Sequence, residues 1–204
     1  MKLYYSPGAC SLSPHIALLE AGLPFELVKV DLRAKKLDNG DDFLKVNPKG
    51  QVPALGLDSG ELVTEGPVIV QMIADKAAAM NLAPARDSAE RYKLLEWLNF
   101  ITSELHKNFG PMFSPALSDD AKAFFKDRVM GKFRYIDGAL AGHDYLMGKQ
   151  FTVADGYLFT ILTWADRMNF DLSGMPNLVA YKARVAARPK VQEALTKEGL
   201  MKAA

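Results

Sequence analysis

The chain holds one cysteine and three histidines in 204 residues. A single thiol cannot close an intramolecular disulfide, so no covalent staple supports the fold. His15, His106 and His143 are scattered without zinc-ligand spacing, which argues against a metal. Charge of one sign is lacking too. Lys and Arg number 25 against 24 Asp and Glu, a net of +1 with no electrostatic case for nucleic acid or an anionic membrane. No apolar run is long enough to span a bilayer, and "MKLYYSPGAC" lacks the apolar core of a signal peptide. The expectation is a cytoplasmic protein, whose reducing surroundings suit a lone thiol. No Gly-x-Gly-x-x-Gly or P-loop pattern is present, and neither repeats nor low-complexity tracts occur.

What is present divides in two. "KLYYS" predicts a strand with Leu3 and Tyr5 on one face. A helix follows, capped by Ser11 or Ser13, with Pro14 in its first turn and Gly22 and Pro24 stopping it. "FELVKVDL" alternates as a second strand, so the two form a βαβ unit with parallel strands. "RAKKLDNGDD" reads as a lysine-bearing loop that leads into a short helical piece ending at "NPKG". "VPALGLDSGELVTE" reads as a hairpin, and "GPVIVQMIADKAA" as a helix. "NLAPARDS", residues 81–88, is the linker. Beyond it only helical patterns follow, over about 89–108, 119–140, 153–168, 178–187 and 191–198. The fold expected is a small α/β domain, residues 1–80, followed by an all-helical domain, residues 89–204.

Four places carry candidate chemistry. Cys10 lies in a Pro-Gly-Ala turn at a helix start, where the dipole and free amide hydrogens favour a thiolate. Buried cysteine is also a common inert filler, so two readings stand. A redox pair is lacking, since Cys10-Ser11-Leu12-Ser13 has serine where a second cysteine belongs. Pro53 opens a strand, either as an ordinary trans proline or as a cis one that turns the Val52 backbone outward to pair with an extended peptide. Glu65 stands beside the helix start at Gly66, so a carboxylate and free amide hydrogens lie side by side. That pair suits an α-amino acid zwitterion, or is a helix cap beside a solvated glutamate. In "RYKLLEWLNFITSELHKNFGP", Leu94, Leu98, Ile101 and Leu105 form the apolar stripe. Asn99, Ser103 and His106 share another face, which is a cleft wall or plain surface. Thr152 and Asp155 read as a capping box, a folding device. Tyr5 is a hydroxyl donor or a sheet-packing residue.

Taken together, "SPGACSLSPHIALLEAG", "NPKGQVPAL", "LVTEGPVIVQMIAD", "RYKLLEWLNFITSELHK" and "FTVADGYLF" resemble the bacterial beta-class glutathione S-transferases, in order and spacing and over essentially the whole chain. The resemblance implies a thioredoxin-like domain, a helical domain and a homodimer. It implies glutathione as co-substrate and a small apolar electrophile as partner, with no metal. Carried over, Cys10 sits beside the glutathione sulfur and Val52, before Pro53, pairs with the cysteinyl unit. Glu65 and Gly66 clamp the γ-glutamyl end, and Lys35 reaches the glycine carboxylate. Asn99, Ser103, Glu104 and His106 border the site, some of them from the neighbouring subunit. Cys10 and His106 are the expected catalytic pair. Serine is frequent in the wider superfamily where this chain has Gly66, so a slightly weaker clamp is expected. Tyr5, Ala9, Lys107, the Phe109 to Phe113 stretch and Trp164 are the expected electrophile pocket. Two chemical routes stay open, conjugation by glutathione sulfur and a mixed disulfide at Cys10. A non-enzymatic carrier is the rival.

Overall fold

In the computed structural model, which describes residues 1–202, side-chain alternation in the first strand decides which way the sheet faces. Leu3 and Tyr5 of β1 (Lys2–Tyr5) are buried, while Lys2 is exposed. β1 pairs in parallel with β2 (Glu26–Asp31), the register running from Lys2 against Glu26 to Tyr5 against Lys29. The connection is α1 (Leu12–Ala21), ended by Gly22 at φ 64°. β4 (Ala54–Gly56) and β5 (Leu62–Thr64) form the expected hairpin, closed through a turn where Gly60 has φ 88°. Helix α2 (Gly66–Lys76) completes this half. With β3 (Lys36–Leu37) at one edge, the sheet order is β3-β2-β1-β4-β5, with β1 and β2 the parallel pair.

The lysine-bearing loop turned out to contain β3 (Lys36–Leu37), paired antiparallel with Val30 and Asp31. Its cause is local. The Asp31 carboxylate accepts the N–H groups of Arg33 and Ala34, and Lys35 at φ 56° turns the chain back. Two residues are too few to show a period, so alternation gave no signal.

α1 is buried all round, with Glu20 its one incompletely buried residue. It lies against the sheet on one side and packs on α2, α6 (Val153–Arg167) and α8 (Pro189–Lys197). Gly156 lets α6 pass close to Ile16, since a Cβ there would sit 3.4 Å from the Ile16 Cγ2. Ser11, the residue before α1, does not cap it. Its hydroxyl accepts the Ser6 N–H at 3.1 Å and reaches the Ser6 carbonyl at 3.3 Å, closing the preceding loop instead.

The helical half contains α3 (Ala89–Phe100), α4 (Lys107–Met112), α5 (Asp119–Ala139), α6, α7 (Pro176–Ala186) and α8. Proline opens both α7 and α8, where its missing N–H costs nothing, so each begins two residues before its apolar period does. The expected helix over 89–108 is interrupted. Residues Ile101–His106 form a π-helical turn in which the Lys107 N–H reaches the Thr102 carbonyl, five residues back. Leu94, Leu98, Ile101 and Leu105 still share one buried stripe across it. Asp155 accepts the Thr152 N–H at 2.7 Å and the Thr152 hydroxyl at 3.0 Å, fixing the start of α6 as the capping residues implied. Among the described residues, no helix is long and apolar enough to cross a membrane.

Glu198, just beyond α8, fastens the two halves from inside the core. Its buried carboxylate lies 2.8 Å from His15 Nδ1 and accepts the Gly8 N–H at 2.9 Å. Replacing Glu198 by alanine strands both partners away from water, an expected loss of about 3 kcal/mol in urea unfolding. A loss below about 0.5 kcal/mol, the scale of ordinary surface changes, would show that the pair is not a fastening.

Candidate active site

The site is built on the loop from Ser6 to Ser11. Gly8 stands at φ 68°, a conformation that favours glycine. Its N–H is held by Glu198, and its carbonyl accepts the Trp164 indole N–H at 2.8 Å. Ala9 N–H bonds the Ser6 carbonyl at 3.0 Å and Ser11 closes the loop, so Cys10 is presented on a fixed backbone. The Cys10 thiol is half-buried and donates to the Val52 carbonyl at 3.1 Å. The Val52–Pro53 peptide is cis.

Two forces oppose each other at this sulfur. Burial disfavours a thiolate, while the amides of Cys10 and Ser11 favour it. Burial is the larger, and the thiol is pushed up to about 12. Of the two readings of Cys10, burial favours the neutral thiol in the free protein, where it serves as a hydrogen-bond donor to Val52. His106 is shifted the other way. Burial, aided by the neighbouring Lys107 charge, lowers it to about 4, so the ring is neutral at pH 7. Its Nδ1 lies 2.6 Å from the Tyr157 hydroxyl, and Thr102 lies 3.4 Å from the same oxygen.

Two cavities meet at Cys10, Ala9, Leu32 and His106. The first, about 280 Å³, runs between the α/β half and the helical half. Lys35, Val52, Pro53, Glu65 and Gly66 line it on one side, and His106, Lys107, Thr102 and Tyr157 on the other. The Lys35 ammonium donates to the Gly50 carbonyl at 2.7 Å. Glu65 precedes α2 at φ 70°, beside the Gly66 amide; Pro67 has no N–H, and the Val68 and Ile69 amides are both taken by the Glu65 carbonyl at 3.0 Å. Its carboxylate receives the Lys49 ammonium at 2.6 Å, and Lys49 also reaches the Thr64 hydroxyl at 2.9 Å. A Cβ on Gly66 would lie 3.8 Å from Pro53, an ordinary contact, so a serine would fit.

The second cavity, about 310 Å³, extends from Cys10 past Pro7 and Gly8 to Phe113, Trp164 and Arg167. Three residues expected there lie elsewhere. Tyr5 points into the core from the buried face of β1, and Phe109 is fully buried against Phe133, Trp164 and Phe170. Lys107 lines the first cavity rather than the second.

Asn99, Ser103 and Glu104 line neither cavity of their own chain. Asn99 and Ser103 are exposed, and Glu104 pairs with Lys132 at 2.8 Å, which holds its carboxyl below the usual range. The π turn explains the change. It breaks the face that a regular helix would give to Asn99, Ser103 and His106, and places Thr102 beside His106 instead. Thr102, Tyr157, Lys49 and Arg167 are lining residues that sequence reasoning missed. Tyr157 sits inside the quoted run "FTVADGYLF" and Lys49 inside "NPKG", but nothing in their spacing pointed inward. Among the described residues, no three of His, Cys, Asp and Glu gather as a metal-binding group.

The order of elements, the loop thiol, and a carboxylate beside a helix start in a shared cleft are features of one protein class. Residues 8–76 match the pattern of the glutathione S-transferase N-terminal domain, and residues 100–189 that of the glutathione S-transferase C-terminal domain. The chain belongs to the glutathione S-transferase family, on its bacterial beta-class branch. It is 48% identical to glutathione S-transferase GstA of Escherichia coli O157:H7, over 98% of this chain and 100% of that protein. A sphingomonad glutathione S-transferase solved in complex with glutathione superposes with a TM-score of 0.95 at 52% identity, covering 98% of this chain and 100% of the other. The bacterial beta-class enzyme of Sphingomonas chungbukensis gives 0.95 at 50% identity, with the same coverage. The protein is thus a glutathione transferase that binds glutathione, on a thioredoxin-like domain joined to a helical one.

The protonated thiol has a measurable consequence. At pH 7, Cys10 of the free protein is expected to alkylate with iodoacetamide at least about 100-fold more slowly than an exposed thiol of ordinary pKa about 8.5. Its rate should climb with pH and show no plateau below pH 10. A plateau below pH 8 would mean that the dipole and amides prevail over burial. For His106 the sign follows from its lowered pKa. The unfolded chain takes up the proton first, so this group's contribution is intact above pH 6.5 and is lost as pH falls towards about 4.

Proposed function

We propose that the enzyme joins the sulfur of glutathione to a small electrophile, with glutathione in the first cavity and the electrophile in the second. The observation that carries this is the meeting of the two cavities at Cys10 and His106. Glu65 takes the γ-glutamyl ammonium in place of Lys49, and the amide at Gly66 takes the α-carboxylate. The Val52 backbone pairs with the cysteinyl unit, and Lys35 meets the glycine carboxylate. The glutathione sulfur then lies beside Cys10. Residues 1–80 supply glutathione binding, residues 81–88 the link, and residues 89–204 the electrophile pocket and the dimer contacts.

In this reading Cys10 and His106 act as donors rather than as nucleophile and base. A thiol held near 12 cannot supply much thiolate at pH 7, but its S–H can turn from the Val52 carbonyl to a glutathione thiolate. The Tyr157 hydroxyl donates to His106 Nδ1, leaving Nε2–H for the sulfur. Both donors lower the pKa of bound glutathione by stabilising its ionised form. The thiol proton leaves to solvent, and the sulfur attacks an activated carbon. With an aryl halide a C–S bond forms, the carbon–halogen bond breaks, and halide departs with the electron pair.

The active form is a homodimer. Asn99, Ser103 and Glu104 face outward on α3 and the π turn, where they border the partner's cleft. Exposed Tyr92 and Tyr135, on α3 and α5, supply apolar area for that contact.

Substituting Cys10 by serine separates the routes. Conjugation of 1-chloro-2,4-dinitrobenzene should fall by less than about tenfold, the worth of one neutral donor, while any glutathione-disulfide reductase activity vanishes. Survival of both activities intact would make Cys10 dispensable and overturn its place in the site. Glu65→Gln should weaken retention on glutathione resin, with affinity down about tenfold. An unsubstituted protein that neither bound the resin nor turned over a generic aryl halide would favour the carrier reading. Gly66→Ser restores a hydroxyl to the clamp and should tighten glutathione about threefold by calorimetry; no change would mean that the amide alone serves.

A further inference from the structure

The second cavity is not uniformly apolar. Of the side chains that line it, Arg167 is the one with a permanent charge, because Cys10 is protonated and His106 is neutral at pH 7. Arg167 ends α6, and its guanidinium lies over Gly8. A Cβ on Gly8 would stand 3.3 Å from Arg167 Nη1, so the bare glycine leaves the approach open. Nearby acids are already engaged. Asp166 pairs with Lys182, and Glu198 is taken up by His15 and the Gly8 N–H. Among the described residues, no carboxylate comes within ion-pair distance of Arg167. An unpaired guanidinium at the exposed rim of a largely apolar cavity favours an anion there, and carboxylate matches its fork geometry. Phe113 and Trp164, in edge-to-face contact at 5.4 Å, form the apolar wall on which a flat ring rests.

From this arrangement we infer that the electrophile is a flat, conjugated acid, its carboxylate on Arg167 and its reactive carbon toward Cys10. The inference rests on the transferase reading for its chemistry, but not for its binding. It narrows the small apolar electrophile implied by family resemblance to an amphiphilic one.

Binding is tested without glutathione, using 4-methyl-3-nitrobenzoate, which has no leaving group, and its methyl ester. Nitroaromatics quench tryptophan, and Trp164 lines the cavity whereas Trp97 does not. The acid-to-ester ratio of affinities should fall about fivefold in Arg167→Gln, the worth of a partly exposed charge pair. Arg167→Lys should keep most of the ratio, and 0.5 M salt should shrink it in the unsubstituted protein. A ratio unchanged by Arg167→Gln overturns the proposal. So does a loss with lysine as complete as with glutamine, which would assign the effect to packing rather than charge. Turnover of 4-chloro-3-nitrobenzoate with glutathione separates the two readings. Acid preference in binding with no turnover of any aryl chloride keeps the Arg167 assignment and sinks the transferase reading. Turnover with no acid preference does the reverse.

Discussion

The buried Glu198 carboxylate is the constraint on which the site depends. It holds His15 on α1 and the Gly8 amide at once, and the Trp164 indole takes the Gly8 carbonyl from the opposite side. Both peptide groups of the loop's central residue are therefore fixed by the helical half. The α/β half supplies the thiol, the cis proline and the helix start, yet none of these sets the path of the loop by itself. This is why α1 is buried on every side. It is the element through which the two halves share one core, and a polar fastening inside that core specifies one relative placement.

With the loop fixed, burial governs the chemistry. The same withdrawal from water that raises the Cys10 thiol lowers His106, because each group is driven to its neutral form. The cleft thus holds two neutral donors at its centre, with charge at its edges in Lys35, Lys49, Glu65, Lys107 and Arg167. A thiolate brought in by a ligand meets hydrogen-bond donors rather than a competing thiolate. The edges hold the ionic ends of the ligand, where water softens each contact and allows release.

Much of this architecture was legible because local period and burial agree. The alternation of Leu3 and Tyr5, the stripe from Leu94 to Leu105 and the glycine and proline stops each announce their element. Family resemblance then gave Cys10, Val52, Glu65 and Gly66 a common purpose, and these residues do line one cleft. What stayed hidden has physical causes. The strand Lys36–Leu37 is shorter than any period. The π turn violates the 3.6-residue spacing on which a helical face is drawn, so the turn of Thr102 into the cavity of its own chain had no signal. Tyr157 reaches His106 across 51 residues of sequence, and Glu198 reaches Gly8 across 190, distances over which no local pattern carries information. The protonation of Cys10 depends on how deeply it is buried, which composition does not reveal.

The π turn also has a meaning in genetic terms. It is one residue wider than a regular turn, so it is what a single inserted codon leaves behind in a helix. Removing one codon between 101 and 106 would close it to an ordinary turn and rotate everything after it by one helical step. Gly110 and Phe113, which follow the turn, would swing relative to Trp164. The wall of the second cavity would be rebuilt while the first kept its own loop, strand and helix start on the α/β half. One codon in that segment therefore separates two shapes of the second cavity's wall, with the loop that carries Cys10 common to both.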